Sequence, residues 1–161
     1  MMQIQTQRLL VRDFTESDAM NAYQYLKDDR VMKWIEPVFT QKEAKEFIRI
    51  YGCEKKMVYA LIEKKSEKLI GHVIYHPYDS IDEYEIGWII EYDSWGKGYA
   101  IEISKELIDY AFSELKVRRI VAETVKDNKK SLEVLSKLGM KENEVRSAAY
   151  YKLYEINDKE I

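Results

Sequence analysis

The stretch from residue 83 to residue 125 restricts the fold of this chain more than any other. Apolar residues between Tyr84 and Ile90 predict a strand, and apolar positions at helical spacing over 97–116 predict a helix of about five turns. A second strand is predicted at 117–125. A strand, a helix and a strand in this order form a β-α-β unit, in which the helix carries the chain back so that the two strands run parallel. The chain therefore requires a sheet with at least one parallel pair.

Patterns on both sides of this unit complete the sheet. Further strands are predicted at 3–14, 57–63 and 69–76, and as two last strands between 140 and 156. Further helices are predicted after capping residues at Thr15, at Thr40 and at Asp127 or Asn128, with ends near Gly52 and Gly139 for the last two. The order predicts an α+β (mixed α/β) fold with a mixed sheet of about six to seven strands and about four helices. A length of 161 residues fits one domain, 1–161.

Composition excludes several classes of protein. A net charge of -3 disfavours a nucleic-acid surface, which needs clustered Lys and Arg in excess, so no nucleic-acid partner is expected. No apolar run approaches the ~18 residues of a membrane helix, and the opening residues lack a signal-peptide pattern. Cys53 is the single cysteine, which excludes an internal disulfide and fits a reducing compartment. We expect a cytoplasmic protein without a membrane partner.

A glycine-containing turn connects the first strand of the β-α-β unit to its helix. It reads Asp93-Ser-Trp-Gly-Lys-Gly98, and it leads into a helix start, whose unpaired N–H groups and positive dipole attract anions. The turn lacks the Ser or Thr that follows the lysine of a P-loop, and Ile101 stands where the third glycine of a dinucleotide fingerprint belongs. The turn is therefore a candidate phosphate cradle that meets neither nucleotide motif.

The end of the turn matches a third phosphate-binding pattern. Gly98-Tyr99-Ala100 corresponds to the end of the [Q/R]-x-x-G-x-[G/A] loop of the Gcn5-related N-acetyltransferases (GNAT). The chain resembles this superfamily, and most closely its ribosomal-protein N-terminal acetyltransferase (RimJ/RimL-like) branch, over nearly its whole length. The matching segments are TQRLLVRDFTESDA, IGHVIYH, EIGWIIEYDSWGKGYAIE and, over 128–140, N-x-x-S-x-x-V-L-x-K-L-G-M. Trp95 replaces the commonest Gln or Arg, as is usual in this branch.

The resemblance implies acetyl-CoA as co-substrate and no metal. The diphosphate would lie over the turn, and the pantetheine arm would pair with the strand end where strand 83–91 splays from strand 117–125, with a bulge at Gly87. Asn128 and Ser131 would contact the cofactor, although both residue types also serve as ordinary helix caps. The implied cofactor-binding residues are Ile89, Ile90, Glu91, Trp95, Gly96, Lys97, Gly98, Tyr99, Ala100, Asn128 and Ser131.

Acetyl transfer to an amine needs a base, an oxyanion donor and an acid. Strand alternation places Glu83 and Glu85 on one face, and the resemblance assigns the base to Glu85 with Glu83 as substitute; a solvated carboxylate is the alternative for either. A backbone N–H near Ile89 would hold the oxyanion. Many relatives use a Tyr as acid where this chain has Leu135, so the resemblance assigns that role to Ser131.

Candidate acceptor-pocket residues are less sharply defined. Trp34 and Phe39 are large apolar groups in an apparent loop, where they either pack or line a pocket. His72 is a candidate near the acyl pocket, and Glu83 is a further pocket candidate. The acceptor is a protein N-terminus or a small-molecule amine, and the alternative function is a non-catalytic acyl-CoA-binding or regulatory domain. Tyrosines 150, 151 and 154 suit a core or an interface, so both a monomer and a homodimer stay open.

Overall fold

The computed structural model describes residues 1–160, within which eight strands and five α-helices are formed. The strands are β1 (Gln3–Gln5), β2 (Leu9–Arg12), β3 (Val58–Glu63), β4 (Lys68–Pro77), β5 (Glu83–Ile90), β6 (Arg119–Val125), β7 (Lys141–Glu142) and β8 (Tyr151–Asn157). The helices are α1 (Ala19–Leu26), α2 (Asp29–Met32), α3 (Gln41–Phe47), α4 (Tyr99–Ser113) and α5 (Lys129–Lys137). A π-helical segment, Ile48–Glu54, continues α3.

The strands belong to one mixed sheet in the order β1-β2-β3-β4-β5-β6-β8-β7. Antiparallel pairs join β1 to β2, β2 to β3 and β3 to β4, whereas β5 and β6 are parallel. The predicted α+β class and the parallel pair of the β-α-β unit are thus confirmed. Among the recorded pairs of β3 with β4, the register shifts between Leu61 and Ile62. The bulge at Gly87 stays a prediction.

The predicted numbers of strands and helices were too low. The single strand expected over 3–14 is divided into β1 and β2 by a turn, in which the Thr6 hydroxyl accepts a hydrogen bond from the Leu9 N–H at 3.0 Å. A short side-chain bond of this kind closes a turn that alternation alone does not reveal. The two-residue β7 and the four-residue α2 supply the remaining additions.

Contacts divide the chain into two units, and the first comprises residues 1–74 and 88–99. Its apolar core collects buried side chains from α1, α2, α3, β3, β4 and β5. The predicted capping box of α3 is confirmed, since the Thr40 N–H donates to the Glu43 carboxylate at 2.7 Å and the Glu43 N–H to the Thr40 hydroxyl at 3.2 Å. A Cβ at Gly52 would lie 2.9 Å from the Phe14 Cβ, so a glycine allows this close packing.

The second unit comprises residues 75–87 and the chain from residue 100 onward. Here β6 pairs with all seven residues of β8, from Arg119 with Asn157 to Val125 with Tyr151. Tyr75 packs its ring on that of Tyr84 with centroids 5.2 Å apart, and its hydroxyl donates to the Leu107 carbonyl of α4 at 2.9 Å. Strand alternation then directs the neighbouring His76 and Glu85 to the sheet face opposite α4.

Across residues 1–160, no helix has the length and apolar character of a membrane span.

Candidate functional site

The turn before α4 has a backbone that only glycine adopts readily. Gly96 and Gly98 have φ angles of 75° and 78°, in the left-handed region where a Cβ causes strain. Apart from Gly96 itself and its two chain neighbours, no heavy atom of the described residues lies within 4 Å of the position that a Cβ at Gly96 would take. The indole N–H of Trp95 donates to the Ile90 carbonyl at 2.9 Å and fixes the start of the turn. The turn therefore has the glycine backbone that the sequence predicts, and its role as a phosphate cradle stays a prediction.

Cationic side chains surround the turn. Lys97 Nζ lies 3.9 Å from the Glu63 carboxylate, which also accepts a hydrogen bond from the Tyr99 hydroxyl. The guanidinium of Arg8 lies over the Tyr99 ring at 4.5 Å, and its Nη2 would be 3.7 Å from a Cβ at Gly98. The cradle thus carries two positive groups where the sequence identified only the lysine.

Glu63, the last residue of β3, contacts both Lys97 and Tyr99 of the turn. Hydrogen bonds from Ser66 and then Tyr99 hold the pKa of Glu63 below its ordinary value, so it stays ionised and holds Lys97 and Tyr99 in place. Neither Arg8 nor Glu63 was identified from the sequence, because each reaches the turn from a distant strand end. The quoted TQRLLVRDF segment contains Arg8, but its pattern carries no sign of that contact.

The end of β5 is already partly engaged in hydrogen bonds. The Glu91 N–H donates to the Ile70 carbonyl at 2.7 Å, and the Glu91 carboxylate accepts from Lys68 at 2.6 Å and from Ser94 at 2.9 Å. The predicted cofactor contact of Glu91 therefore cannot use its backbone N–H. The Ile90 carbonyl already accepts the Trp95 indole N–H, and the cofactor contacts of Ile89 and Ile90 stay predictions.

β4 approaches β5 closely at Ile89. A Cβ at Gly71 would lie 2.0 Å from the Ile89 carbonyl oxygen, so only a glycine fits here. Gly71 consequently fixes the backbone position at which the sequence predicts the oxyanion donor. This glycine was not singled out from the sequence, although it belongs to the quoted IGHVIYH segment.

The parallel ladder between β5 and β6 is short. It consists of three recorded pairs, Glu83 with Arg119, Tyr84 with Ile120 and Glu85 with Val121, whereas β5 continues to Ile90. The backbone groups of β5 beyond Glu85 therefore lie outside this ladder. The splay predicted for these two strands stays a prediction.

Glu85, the predicted base, contacts a histidine. Its carboxylate Oε2 lies 3.1 Å from Nε2 of His76, and the side chains keep 18% and 13% of their exposure, respectively. Burial lowers the pKa of His76, but the hydrogen bonds to Glu85 and to the Pro77 carbonyl outweigh it and raise the pKa above its ordinary value. Glu85 thus combines a partly exposed carboxylate with a titrating partner.

Glu83, the predicted substitute, has a different environment. It is 5% exposed and receives two hydrogen bonds from Arg146 at 2.8 Å and one from Arg119 at 3.3 Å. The hydrogen bond from Arg146 lowers the pKa of Glu83, although burial opposes this effect. A carboxylate held in this way is a poor proton acceptor, so the geometry favours Glu85 as the base.

Asn128 and Ser131 form a helix cap. The Asn128 side-chain oxygen accepts a hydrogen bond from the Ser131 N–H at 3.3 Å, which places Asn128 as the N-cap of α5. Asn128 therefore serves as a helix cap, which is one of the two roles that the sequence left open. A contact of either residue with a cofactor, and the acid role of Ser131, stay predictions.

The predicted pocket aromatics divide between surface and core. Trp34 is 36% exposed beside Lys33, whereas Phe39 packs on the Phe47 ring with centroids 5.6 Å apart. His72 is 2% exposed, and its Nδ1 lies 2.9 Å from the Tyr25 hydroxyl. Burial lowers the pKa of His72 to about 3, so the ring is neutral. His72 is therefore buried in the first unit, and the partly buried Phe39 packs against its core. The pocket roles of Trp34, Phe39 and His72 stay predictions.

The predicted residues fall in both units. The turn residues 95–99 and the strand end 89–91 belong to the first, and Ala100, Glu83, Glu85, Asn128 and Ser131 belong to the second. Among the residues that the structure describes, no three His, Cys, Asp or Glu side chains form a group able to hold a metal ion.

Comparisons with known proteins agree with one another. The acetyltransferase (GNAT) domain profile matches residues 8–141. A relative from Bacillus subtilis described as an uncharacterized N-acetyltransferase, YnaD, is 36% identical over 141 residues, which cover 87% of this chain and 83% of the relative.

Solved structures give the same result. An acetyltransferase of the GNAT family from Bacillus anthracis has a TM-score of 0.90 at 30% identity and covers 98% of this chain and 99% of its own. Spermidine N-acetyltransferase from Vibrio cholerae, in complex with CoA and spermine, has a TM-score of 0.80 at 18% identity. The match covers 96% of this chain and 98% of the spermidine N-acetyltransferase chain. At that identity the likeness is one of fold.

Proposed function

The chain belongs to the GNAT family of acetyltransferases, and we propose that it transfers the acetyl group of acetyl-CoA directly to a primary amine. The observation that carries this proposal is the turn at Gly96 and Gly98, whose positive φ angles and open surroundings leave its backbone accessible to an anion. Such a turn before a helix suits a diphosphate. Lys97 and Arg8 would add positive charge to it.

Each proposed role follows from a group already described. The backbone of Ile89 and Ile90 would hold the pantetheine arm, as a peptide adds to a strand, and the Ile89 N–H would face the developing oxyanion. Glu85 would remove the proton that the acceptor amine must lose before attack. Acetyl-CoA, when bound, supplies an activated thioester, whose thiolate leaves readily enough for a weak acid such as Ser131 to suffice.

The acceptor we propose is a cationic primary amine, either a protein N-terminus or a small-molecule amine. The second unit supports this class through its acidic groups, among which Glu85 is partly exposed and Asp79 is 73% exposed. A positively charged amine is attracted to such a surface before it loses its proton. The solved spermidine N-acetyltransferase supports the inclusion of polyamines among candidate acceptors.

The test combines binding with turnover. Calorimetry measures acetyl-CoA affinity, and thiol release measures transfer to a panel of peptides with free N-termini, polyamines and amino acids. We expect turnover with at least one amine and a loss of about 100-fold or more in Glu85→Gln. We also expect Lys97→Gln to weaken acetyl-CoA binding by about tenfold.

Lys137→Gln is the matched control for the lysine variant. Lys137, like Lys97, is a half-exposed lysine that contacts one glutamate, in this case Glu133 at 2.7 Å in α5. The Lys137→Gln variant should bind acetyl-CoA with unchanged affinity. Acetyl-CoA binding without turnover of any amine would identify a non-catalytic acyl-CoA-binding domain, and failure to bind acetyl-CoA would contradict both functions.

A further inference from the structure

The contacts of the two ring nitrogens of His76 show how many protons His76 and Glu85 hold together. Nδ1 of His76 lies 2.7 Å from the Pro77 carbonyl oxygen, and Nε2 lies 3.1 Å from Glu85 Oε2. A carbonyl oxygen accepts hydrogen bonds and cannot donate them, so Nδ1 must carry a proton. The second contact also needs a proton, because a bare Nε2 and a carboxylate would repel each other.

The pair therefore holds one proton more than a neutral histidine beside a carboxylate. That proton resides on Nε2, which makes an imidazolium and a carboxylate, or on Glu85 Oε2, which makes two neutral groups. Both arrangements have the same total charge. The described geometry is that of the protonated pair.

We propose that His76 and Glu85 together form a single shared proton acceptor for the acetyl-transfer reaction. In the active form the pair has lost its shared proton. One N–H bond of the acceptor ammonium breaks, the nitrogen keeps the electron pair, and the proton ends between Nε2 of His76 and Oε2 of Glu85. The inference rests on the proposed function, since it concerns the proton of the acceptor amine.

The carboxylate that favours a protonated His76 is Glu85 itself. Burial lowers the pKa of His76, whereas the hydrogen bonds to Glu85 and to the Pro77 carbonyl, together with the charge of Glu85, raise it. The other carboxylates of this part of the chain have partners of their own, since Glu123 accepts from the Tyr78 hydroxyl. Glu83, Asp79 and Glu155 contact Arg119 or Arg146.

His72 provides an internal contrast on the same strand. It lies four residues before His76, is buried against the Tyr25 hydroxyl, and has no carboxylate among its recorded hydrogen-bond partners within residues 1–160. These are the two histidines of the chain. Burial alone thus gives a neutral ring at His72, whereas burial beside Glu85 gives a proton-binding pair at His76.

A nuclear magnetic resonance titration tests the pair without any turnover. With two histidines, the ring signals of wild type and His76→Gln assign each resonance directly. We expect His76 to titrate above about 6.5, the ordinary histidine value, and to titrate at lower pH in Glu85→Gln. His72 should show no titration between pH 5 and 8. A His76 midpoint at or below 6.5, or one unaffected by Glu85→Gln, would overturn the proposal.

The pH dependence of kcat/KM tests the catalytic part with one fixed acceptor. His76→Gln keeps an amide donor for Glu85 but cannot take up a proton. We expect its kcat/KM to fall about 100-fold at pH 7.5, and the acid limb of the kcat/KM profile to move to lower pH, because the protonatable imidazole is gone. A purely structural role for His76 would leave that limb in place, and this result would overturn the proposal.

Different results would contradict the acetyl-transfer activity and the shared proton acceptor. Wild-type protein that turns over no amine contradicts acetyl transfer itself, and with it any role of His76 in that reaction. Wild-type turnover with an unchanged acid limb in His76→Gln contradicts the shared acceptor alone. Circular dichroism of each variant confirms that the compared proteins are folded.

Discussion

Substituting Gly71 by alanine would move the backbone that we propose holds the acyl carbonyl. The new Cβ would lie 2.0 Å from the Ile89 carbonyl oxygen and 3.0 Å from the Ile89 carbonyl carbon. Cβ atoms essentially never approach another heavy atom within 3.0 Å, so the contact must lengthen from 2.0 Å to at least 3.0 Å. The obstructing atom is backbone, which cannot rotate away as a side chain can. Ile89 and its neighbours must therefore shift by about 1 Å.

A shift of that size has separate effects on stability and catalysis. Overpacking a well-packed position costs about 1–3 kcal/mol, which corresponds to a loss of roughly 2–12 °C in Tm for a chain of this length. A misplacement of about 1 Å at a reacting centre costs about 100-fold in rate. We therefore expect Gly71→Ala to fold with a lowered Tm and to lose about 100-fold in kcat.

Gly52→Ala is the control for general destabilisation in the same unit. Its Cβ would meet the Phe14 Cβ at 2.9 Å, in the core and not at the end of β5. Both variants are assayed by thiol release at a temperature where circular dichroism shows them folded. Near wild-type kcat in Gly71→Ala would refute the role of the Ile89 backbone. An equal loss of kcat in Gly52→Ala would show that general destabilisation, and not the position of the Ile89 backbone, causes the loss in Gly71→Ala.

Two further predictions concern the turn and the buried histidine. Gly98→Ala and Gly139→Ala place a Cβ at φ angles of 78° and 80° and should each lose about 1–2 kcal/mol of stability. Only Gly98→Ala should weaken acetyl-CoA binding, by about tenfold in calorimetry, and equal affinities would contradict the cradle. Because the pKa of His72 is lowered to about 3, the unfolded chain binds a proton below about pH 6.5 that the folded chain excludes. The free energy of unfolding should then fall by up to about 1.4 kcal/mol per pH unit between pH 6 and 5 in wild type and more shallowly in His72→Gln, and parallel urea-unfolding curves would contradict this.

The turn could be predicted from the sequence because glycine spacing is a local signal. Gly96 and Gly98 stand directly before an amphipathic helix, and the positive φ angles found there are those that glycine tolerates best. The β-α-β unit was predictable for the same reason, since its periodicities are read within one segment. Local sequence patterns thus predicted the glycine turn and the parallel pair.

The environments of Glu83 and Glu85 could not be predicted in this way. Strand alternation places the two carboxylates on one face without distinguishing them. Their difference comes from Arg146, which is 63 positions away from Glu83 along the chain, and from His76 at the end of another strand. A sequence pattern does not show which of these side chains meet in space.

The burial of individual aromatic side chains could not be predicted from the sequence either. His72 and Phe39 are aromatic groups that suit a pocket wall as well as a core, and the sequence leaves both open. The structure packs Phe47 against both rings, with centroids 5.4 Å from His72 and 5.6 Å from Phe39. Composition alone does not determine which aromatic residues a neighbouring helix will cover.

The ion cluster around Arg146 has a consequence for how this protein can change. One guanidinium contacts Glu83 and Asp79, at 2.8 Å and 2.7 Å, and lies 5.6 Å from the Tyr78 ring. The loop that carries Arg146 and the loop that carries Asp79 therefore share a side chain, and substitutions in the two loops will not have additive effects. Evolution or a laboratory selection that remodels one loop must retain this arginine or replace the other loop's partners in the same step.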